Sequence, residues 1–426
     1  MSVSVTFSST HRIAFASDFF MARRPVLDRS RKLTAHELLF REAGPRAALD
    51  ASGAEVPAGA SAIADVIKYG MARVLGDLPG MLCIDSIALA SDIFSLLPAE
   101  RFTLVLTEMP AAGAELREQL AGLRQRGFRF ALAVSSQTQS IGELLDLIDG
   151  VRIDITGRSA GELSRFCAGF RIHSKKLLAE RVDSLDQFTL CAGLGFDAFQ
   201  GYFFTEPQLQ GGARLSPTQT AIMELLDLLA TDAPDAAIEH RIKSDIALGL
   251  NLLRLANTPA ISTLRIDSLR QALMVLGRNQ LQRWLQVMLY ADHGGMAAGA
   301  EVLARQATAR GRLMELLAQK TRPGNRGLAD TAFTIGIMSL MDTLFSMPIA
   351  EILEQIPVAD DVSAALLRRE GYFGRLLEVA ECAEWRQANE TRLGALLGAL
   401  QVSCKDIYLM QLLAFEWTDQ VAASFR

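Results

Sequence analysis

Phe102–Ser136, FTLVLTEMPAAGAELREQLAGLRQRGFRFALAVSS, sets two apolar runs rich in β-branched and aromatic residues on either side of an amphipathic stretch. Phe102–Glu108 and Phe128–Ser135 have the length and composition of strands, and Ala112–Arg126 has the apolar spacing of a helix. Strand, helix and strand in succession predict a βαβ unit with parallel strands. The same alternation extends in both directions. Further strand candidates are Ala35–Phe40, Gly80–Ser86, Gly150–Ile155, Lys176–Val182 and Phe196–Phe204, with helical patterns over Ala60–Leu75 and Ile141–Leu147. This series approaches the eight strands of a (β/α) barrel, which is the predicted fold of the first half. An open doubly wound sheet is the alternative, but no Gly-x-Gly-x-x-Gly turn follows the first strand.

After Phe204 the period changes. Gln208–Pro217, QLQGGARLSP, reads as a linker ending in a proline suited to opening a helix. Beyond it, Ile222, Leu225, Leu226 and Leu229 share one face of a predicted helix over Thr218–Ala230. Helical patterns continue over Ile246–Ala256, Ser268–Leu276, Gln280–Tyr290, Ala297–Ala318, Asp330–Phe345, Ala350–Ile356, Ser363–Arg369, Phe373–Ala380, Ala388–Leu400 and Cys404–Phe425. Asp360–Asp361 form an N-cap region, Asn257 suits a helix C-terminus with a left-handed backbone, and Gly277 a tight turn between helices. Met338, Met341 and Met347 read as core filling ahead of a partner groove. The expected division is a barrel over 1–210 and an all-α domain over 211–426.

Composition limits the function classes. A chain of 426 residues with 50% hydrophobic and 21% charged residues can bury two or three cores, which excludes disorder. Its most apolar stretch, Thr331–Met341, is cut short by Asp342, and MSVSVTFSSTHR has no basic region followed by an apolar run. A cytoplasmic protein without membrane partners is therefore expected. Net charge of −5 argues against a nucleic-acid coat, so no DNA partner is expected. Five scattered cysteines without a Cys-x-x-Cys pair argue against a disulfide framework or structural zinc. The helical half has only His240 and His293 and no His-Asp pair, so a metal-dependent hydrolase finds no foothold there.

In a parallel barrel the chemistry lies at the C-terminal strand ends. Here those ends carry Glu37, Asp85, Glu108, Ser135 with Ser136, Asp154, Glu180 and Gln200. Acidic groups so placed suit hard divalent cations, although strand-end acids also cap helices or meet solvent.

Ala22–Arg41, ARRPVLDRSRKLTAHELLFR, is similar to the opening of EAL domains, with Glu37–Leu38–Leu39 standing where that family has Glu-Ala-Leu. The resemblance continues through Leu104–Glu108, Arg152–Asp154, Ala179–Asp183 and Gln200–Phe204. It implies a modified TIM barrel, cyclic di-GMP as ligand, and two Mg²⁺ or Mn²⁺ ions activating water for phosphodiester hydrolysis. Glu37 matches a metal-binding glutamate, Glu108 a glutamate near the site, Glu180 a late catalytic-site glutamate, and Gln200 a mouth glutamine. Asp154 is retained, and Asp85 replaces an asparagine ligand.

The departures oppose catalysis. Val105 replaces a glutamate, Ala133 and Val134 replace paired aspartates, Ser135 and Ser136 follow them, and Arg152 replaces the catalytic lysine. Two divalent ions need anionic ligands that alanine and valine cannot supply. No catalytic residue, metal or cofactor is therefore expected. Arg152 and Arg23 or Arg24 could meet phosphates, although a solvated or helix-paired surface charge is the commoner role of a single arginine.

Ser244–Leu289, SDIALGLNLLRLANTPAISTLRIDSLRQALMVLGRNQLQRWLQVML, resembles the HDOD domain, a helical relative of His-Asp hydrolases lacking their metal ligands. Ala332–Glu354 is similar to the extension found where EAL and HDOD domains share a chain. Together the resemblances imply a non-catalytic signalling protein. Its barrel would be a sensor or docking surface, its HDOD domain would bind other signalling proteins, and the barrel could mediate a homodimer. The alternatives are an active phosphodiesterase with an ion site rearranged around Asp85, Asp154 and Glu180, and a receptor that binds cyclic di-GMP without cleavage.

Overall fold

A computed structural model describes residues 19–42, 71–84, 89, 94, 96–107, 113–134, 144–206, 217–257, 265–291, 299–354, 358–384 and 390–424. The chain divides into two compact units. One comprises Met1–Phe203, Ala383–Gly398 and Val402–Leu409, and the other Phe204–Cys382, Ala399–Gln401 and Met410–Arg426. The boundary expected at 210/211 lies outside the described residues.

The first unit is a closed barrel of eight strands in sequence order. They are β1 (Phe19–Asp28), β2 (Leu33–Glu42), β3 (Gly80–Ile84), β4 (Phe102–Leu106), β5 (Arg129–Val134), β6 (Gly150–Asp154), β7 (Lys176–Glu180) and β8 (Ala198–Gln200). β1 runs antiparallel to both its neighbours, β2 and β8, whereas the other adjacent pairs are parallel.

The antiparallel β1 is the strand missing from the sequence-based series, because Arg23, Arg24 and Pro25 interrupt its apolar run. Proline lacks the N–H a ladder needs. Pro25 is tolerated because its partner across the hairpin, His36, sends its own N–H to Pro79 O at 2.9 Å. Asp28 closes the hairpin by accepting from the Ser30 and Lys32 amides at 2.8 and 2.9 Å. At the other end of the series, the run Phe196–Phe204 contributes only Ala198–Gln200 to the sheet before a 3-10 turn over Phe203–Thr205.

Both faces of the barrel strands are buried, which explains why FTLVL and FALAV read as continuous apolar runs. Val26, Met81, Val105, Ala131 and Leu178 fill the interior, with Ala35, Cys83, Ala133 and Ala198 packed against them. The alternate residues Leu104, Leu106, Phe130, Leu132 and Ile153 are buried on the opposite strand faces. Full burial of each such side chain contributes roughly 1.5–3 kcal/mol. Helices Ala114–Gln125, Ala160–Arg171 and Leu185–Leu194 follow β4, β6 and β7. Ser159 with Glu162 and Ser184 with Gln187 form capping boxes that start the last two.

Among the described residues, the regular elements in the second part of the chain are helices, as expected. Helices Pro217–Ala230, Asp235–Lys243, Ile246–Ala256, Leu269–Ala291, Ala300–Thr321, Arg326–Met338, Met341–Phe345, Ile349–Glu354, Asp360–Arg368, Gly371–Ala383, Glu390–Leu400 and Cys404–Ser424 follow one another. Asp235–Lys243 escaped the sequence reading because only Ile238 and Ile242 are buried along its polar length. The single helix expected over Asp330–Phe345 is instead two, Arg326–Met338 and Met341–Phe345. Asp360 and Asp361 lie within a first turn, and Ala359 holds the N-cap. Met338 and Met341 fill core, and Met347 is half-buried. No single helix among the described residues is long and apolar enough to cross a membrane.

Asn257 ends its helix by a route other than the expected left-handed backbone. Its φ is −90°, and its side chain does the capping, donating to Leu253 O and Ile266 O and accepting from the Ile266 amide, each at 2.8 Å. Gly277 breaks Leu269–Ala291 with φ 69° and ψ 168°, as the turn reading required.

Gly336 and Gly311 allow Arg326–Met338 and Ala300–Thr321 to touch backbone to backbone. A Cβ at Gly336 would stand 2.5 Å from Gly311 Cα. Gly336→Ala should therefore destabilise the helical unit by about 2–4 kcal/mol through overpacking. Gly277→Ala, with no neighbour within 4 Å of its added Cβ, should cost only the strain of its φ 69°, ψ 168° backbone, about 1–3 kcal/mol. Urea unfolding of both variants checks the order.

Candidate functional site

Alternation along β2, β3, β6, β7 and β8 turns Glu37, Cys83, Arg152, Glu180 and Gln200 toward one another inside the barrel. Glu37 is 1% exposed, Gln200 2% and Arg152 8%. Arg152 Nη1 donates to Glu37 Oε1 at 2.6 Å and to Cys83 Sγ at 3.2 Å. The Cys83 thiol donates to the same Glu37 oxygen at 3.1 Å, and Gln200 Nε2 donates to Glu37 Oε2. Arg152 Nε lies 3.1 Å from Glu180 Oε2 without the alignment of a hydrogen bond, and Arg24 Nη1 is 3.9 Å from Glu37 Oε2. Both Glu37 oxygens are thus engaged by the protein itself.

Burial works against the charge on Arg152, but the facing Cys83, Glu37 and Glu180 outweigh it and hold the guanidinium above its ordinary value. Burial raises the Glu180 carboxyl, and Arg152 partly offsets this. Burial, reinforced by the Glu37 charge, pushes the Cys83 thiol up to about 12. Cys83 is therefore a neutral hydrogen-bond donor at physiological pH.

The expectation that Arg152 is a solvated or helix-paired surface charge is corrected: it is buried between two carboxylates. Cys83, which sequence reasoning missed, sits among them; its signal was the alternation that also makes Met81 inward-facing. Asp154 stands at the end of β6 and pairs with Arg181 at 3.5 Å. Of the arginines expected near the mouth, Arg24 approaches Glu37, whereas Arg23 donates to Val74 O at 3.2 Å. Val105 and Ala133 pack in the barrel interior, and Val134, next along β5, is buried on the opposite face. Asp85, Glu108, Ser135 and Ser136 lie outside the described residues.

The donor set was weighed against the divalent ions that the EAL resemblance implies. Among the described residues, no group of three or more His, Cys, Asp or Glu side chains could hold a metal ion. A guanidinium stands between Glu37 and Glu180, and the second Glu37 oxygen is taken by Gln200. These residues do not fit a pair of divalent ions.

The helical unit buries an arginine of its own. Arg310 is 1% exposed, donates to Ser339 Oγ at 2.7 Å and lies 3.8 Å from Glu381. Arg283 bridges Glu315 at 2.6 Å and Asp330 at 2.5 Å beside a polar cavity of about 400 Å³.

Two predictions follow from the barrel cluster. Arg152→Met should cost about 3–5 kcal/mol by stranding a buried carboxylate, and adding Glu37→Met should recover much of it; a urea-unfolding double-mutant cycle reads both. The raised Cys83 value means that the folded chain keeps a proton the unfolded chain gives up above 9.0, so this contribution to stability falls as pH rises from 9.0 toward about 12. Iodoacetamide at pH 8 should accordingly modify Cys83 only slowly although it is half-buried rather than fully enclosed, as peptide mass mapping would show.

Residues 215–359 match the HDOD domain. The uncharacterized protein YuxH of Bacillus subtilis is 28% identical over 414 residues, covering 93% of this chain and 97% of that protein. The cyclic di-GMP phosphodiesterase CdgJ of Vibrio cholerae is 28% identical over 374 residues, covering 86% of each chain. Among solved structures, an EAL domain protein from Listeria monocytogenes EGD-e is 16% identical with a TM-score of 0.33, covering 44% of this chain and 87% of that one. With Glu37–Leu38–Leu39 on the second strand of a closed barrel and an HDOD match behind it, the chain is similar to proteins of EAL–HDOD architecture.

Proposed function

We propose that this protein is a non-hydrolytic component of cyclic di-GMP signalling, with the EAL-type barrel as sensor or docking surface and the HDOD domain as the contact for other signalling proteins. The observation that carries the reading is the Arg152–Glu37 pair, which engages the carboxylate needed for an ion site. Val105 and Ala133 support it, since the interior places they fill offer no ligand atoms. The link to cyclic di-GMP draws on CdgJ, the phosphodiesterase 28% identical along most of the chain. That same likeness favours the second reading, an active phosphodiesterase.

Incubation of the full chain with cyclic di-GMP in Mn²⁺ or Mg²⁺, followed by chromatography, separates the two. The expected outcome is no linear product. Turnover that disappears in Glu37→Ala would overturn the proposal. Calorimetric titration in Ca²⁺ then distinguishes a receptor from a scaffold, and a saturable signal makes the protein a cyclic di-GMP receptor. Absence of heat with protein at tens of micromolar, a free energy weaker than about 7 kcal/mol, moves the barrel's role to protein docking.

A further inference from the structure

We propose that the helical unit holds a binding site for a small phosphorylated anion, in the polar cavity beside Arg283 where the helices Ala300–Thr321 and Arg326–Met338 are joined. This site belongs to the helical unit and does not depend on whether the barrel hydrolyses cyclic di-GMP.

Thr321–Gly327, TRPGNRG, makes the turn between the two helices. Pro323 cannot continue the first helix, and Gly324 reverses the chain with φ 86°. Asn325 then caps the second helix by accepting from the Leu328 amide at 3.1 Å. Arg322, just past the end of one helix, and Arg326, at the start of the next, therefore line the same cavity of about 400 Å³. The close approach of Gly336 to Gly311 holds the helix pair together, so both arginines stand on a fixed frame.

Charge decides what this cavity accepts. Its acids are already satisfied within the protein. Glu315, 2% exposed, accepts from Arg283 and from Arg312, each at 2.6 Å, and Asp330 accepts from Arg283 at 2.5 Å. The other two arginines differ. The Arg326 side chain forms no ion pair or hydrogen bond among the described residues, and that of Arg322 lies over the Tyr372 ring, 4.0 Å from its centroid. Stacking on a ring face orients a guanidinium while leaving its in-plane N–H groups available.

Four guanidinium groups thus meet two carboxylates, and the excess positive charge sits on the two arginines that lack a protein acceptor. Asn279 adds a neutral amide to the lining, and the first turn of Arg326–Met338 also favours negative charge. A ligand with two or more negative charges and oxygens on several sides answers this pattern. Phosphate and diphosphate groups have that form, since each planar guanidinium engages their oxygens two at a time. The volume is that of a small-molecule site.

The experiment titrates the full chain with inorganic pyrophosphate and with ADP by calorimetry at fixed ionic strength. Both probes carry a diphosphate, and only ADP carries a nucleoside. Saturable binding at a single site is expected. Arg322→Gln and Arg326→Gln should each weaken it about tenfold or more, because each removes charge-assisted hydrogen bonds, and the double variant should abolish it. Arg265→Gln removes an exposed charge that pairs with Asp267 and takes no part in lining the cavity, so it should leave binding unchanged. Urea unfolding checks that each variant folds; the exposed Arg326 is the safer of the two if Arg322→Gln is unstable.

Equal affinity for the two probes supports the site and identifies the diphosphate as the recognised group, whereas tighter binding of ADP supports it and assigns a nucleotide. Absence of saturable heat with both probes at millimolar concentration overturns the proposal. So does binding that Arg326→Gln leaves unchanged, or that Arg265→Gln weakens as much as Arg326→Gln does.

Discussion

A guanidinium and a carboxylate inside a barrel each lose water, at several kcal/mol per ion, and remain charged only if the protein replaces the lost contacts. Arg152 and Glu37 meet that condition through shared partners. Cys83 bridges them, Glu180 adds a second negative charge, and Gln200 completes the Glu37 carboxylate. These groups come from five strands, so the cluster links five of the barrel's strands from inside. Breaking the pair leaves a bare charge, whereas exchanging both members for apolar side chains of similar size is far milder.

The surrounding packing depends on this arrangement. Val105, Ala131 and Ala133 are small or apolar beside the charged cluster, so interior volume is filled without competing donors or acceptors. The one antiparallel strand follows the same logic. β1 brings Arg24 to the far side of Glu37, and Pro25 is accommodated where the facing His36 amide is already satisfied by Pro79.

How much was legible in the sequence depended on the range of the interaction involved. The parallel strands could be read because burial on both faces produces continuous apolar runs, and the helical second half because its period is local. β1 was hidden by two arginines and a proline whose roles become visible only beside β2. Asn257 was placed correctly at a helix end, but its capping by way of Ile266 needs a loop closure that spacing does not reveal. Glu37, Glu180 and Gln200 were found at the C-terminal strand ends of the predicted barrel, and the family resemblance pointed to the same three. The fate of Arg152 was not legible, since its partner Glu37 lies 115 positions away and a lone arginine reads as a surface charge. Cys83 escaped for the same reason: its neighbours in sequence are apolar, and only barrel closure brings it to a carboxylate.

The buried Arg152 also constrains the order in which mutations can accumulate. An added carboxylate near Arg152, for instance at Ala133, meets a cation already in place and is partly neutralised on arrival. Loss of Arg152 before any such addition instead strands Glu37 and Glu180 together. A lineage drifting toward a metal-dependent barrel would therefore have to gain acids first and surrender the arginine last. The reverse order passes through a chain expected to be about 3–5 kcal/mol less stable. A single side chain thus acts as a ratchet on this protein's evolutionary path, quite apart from anything it does in the cell.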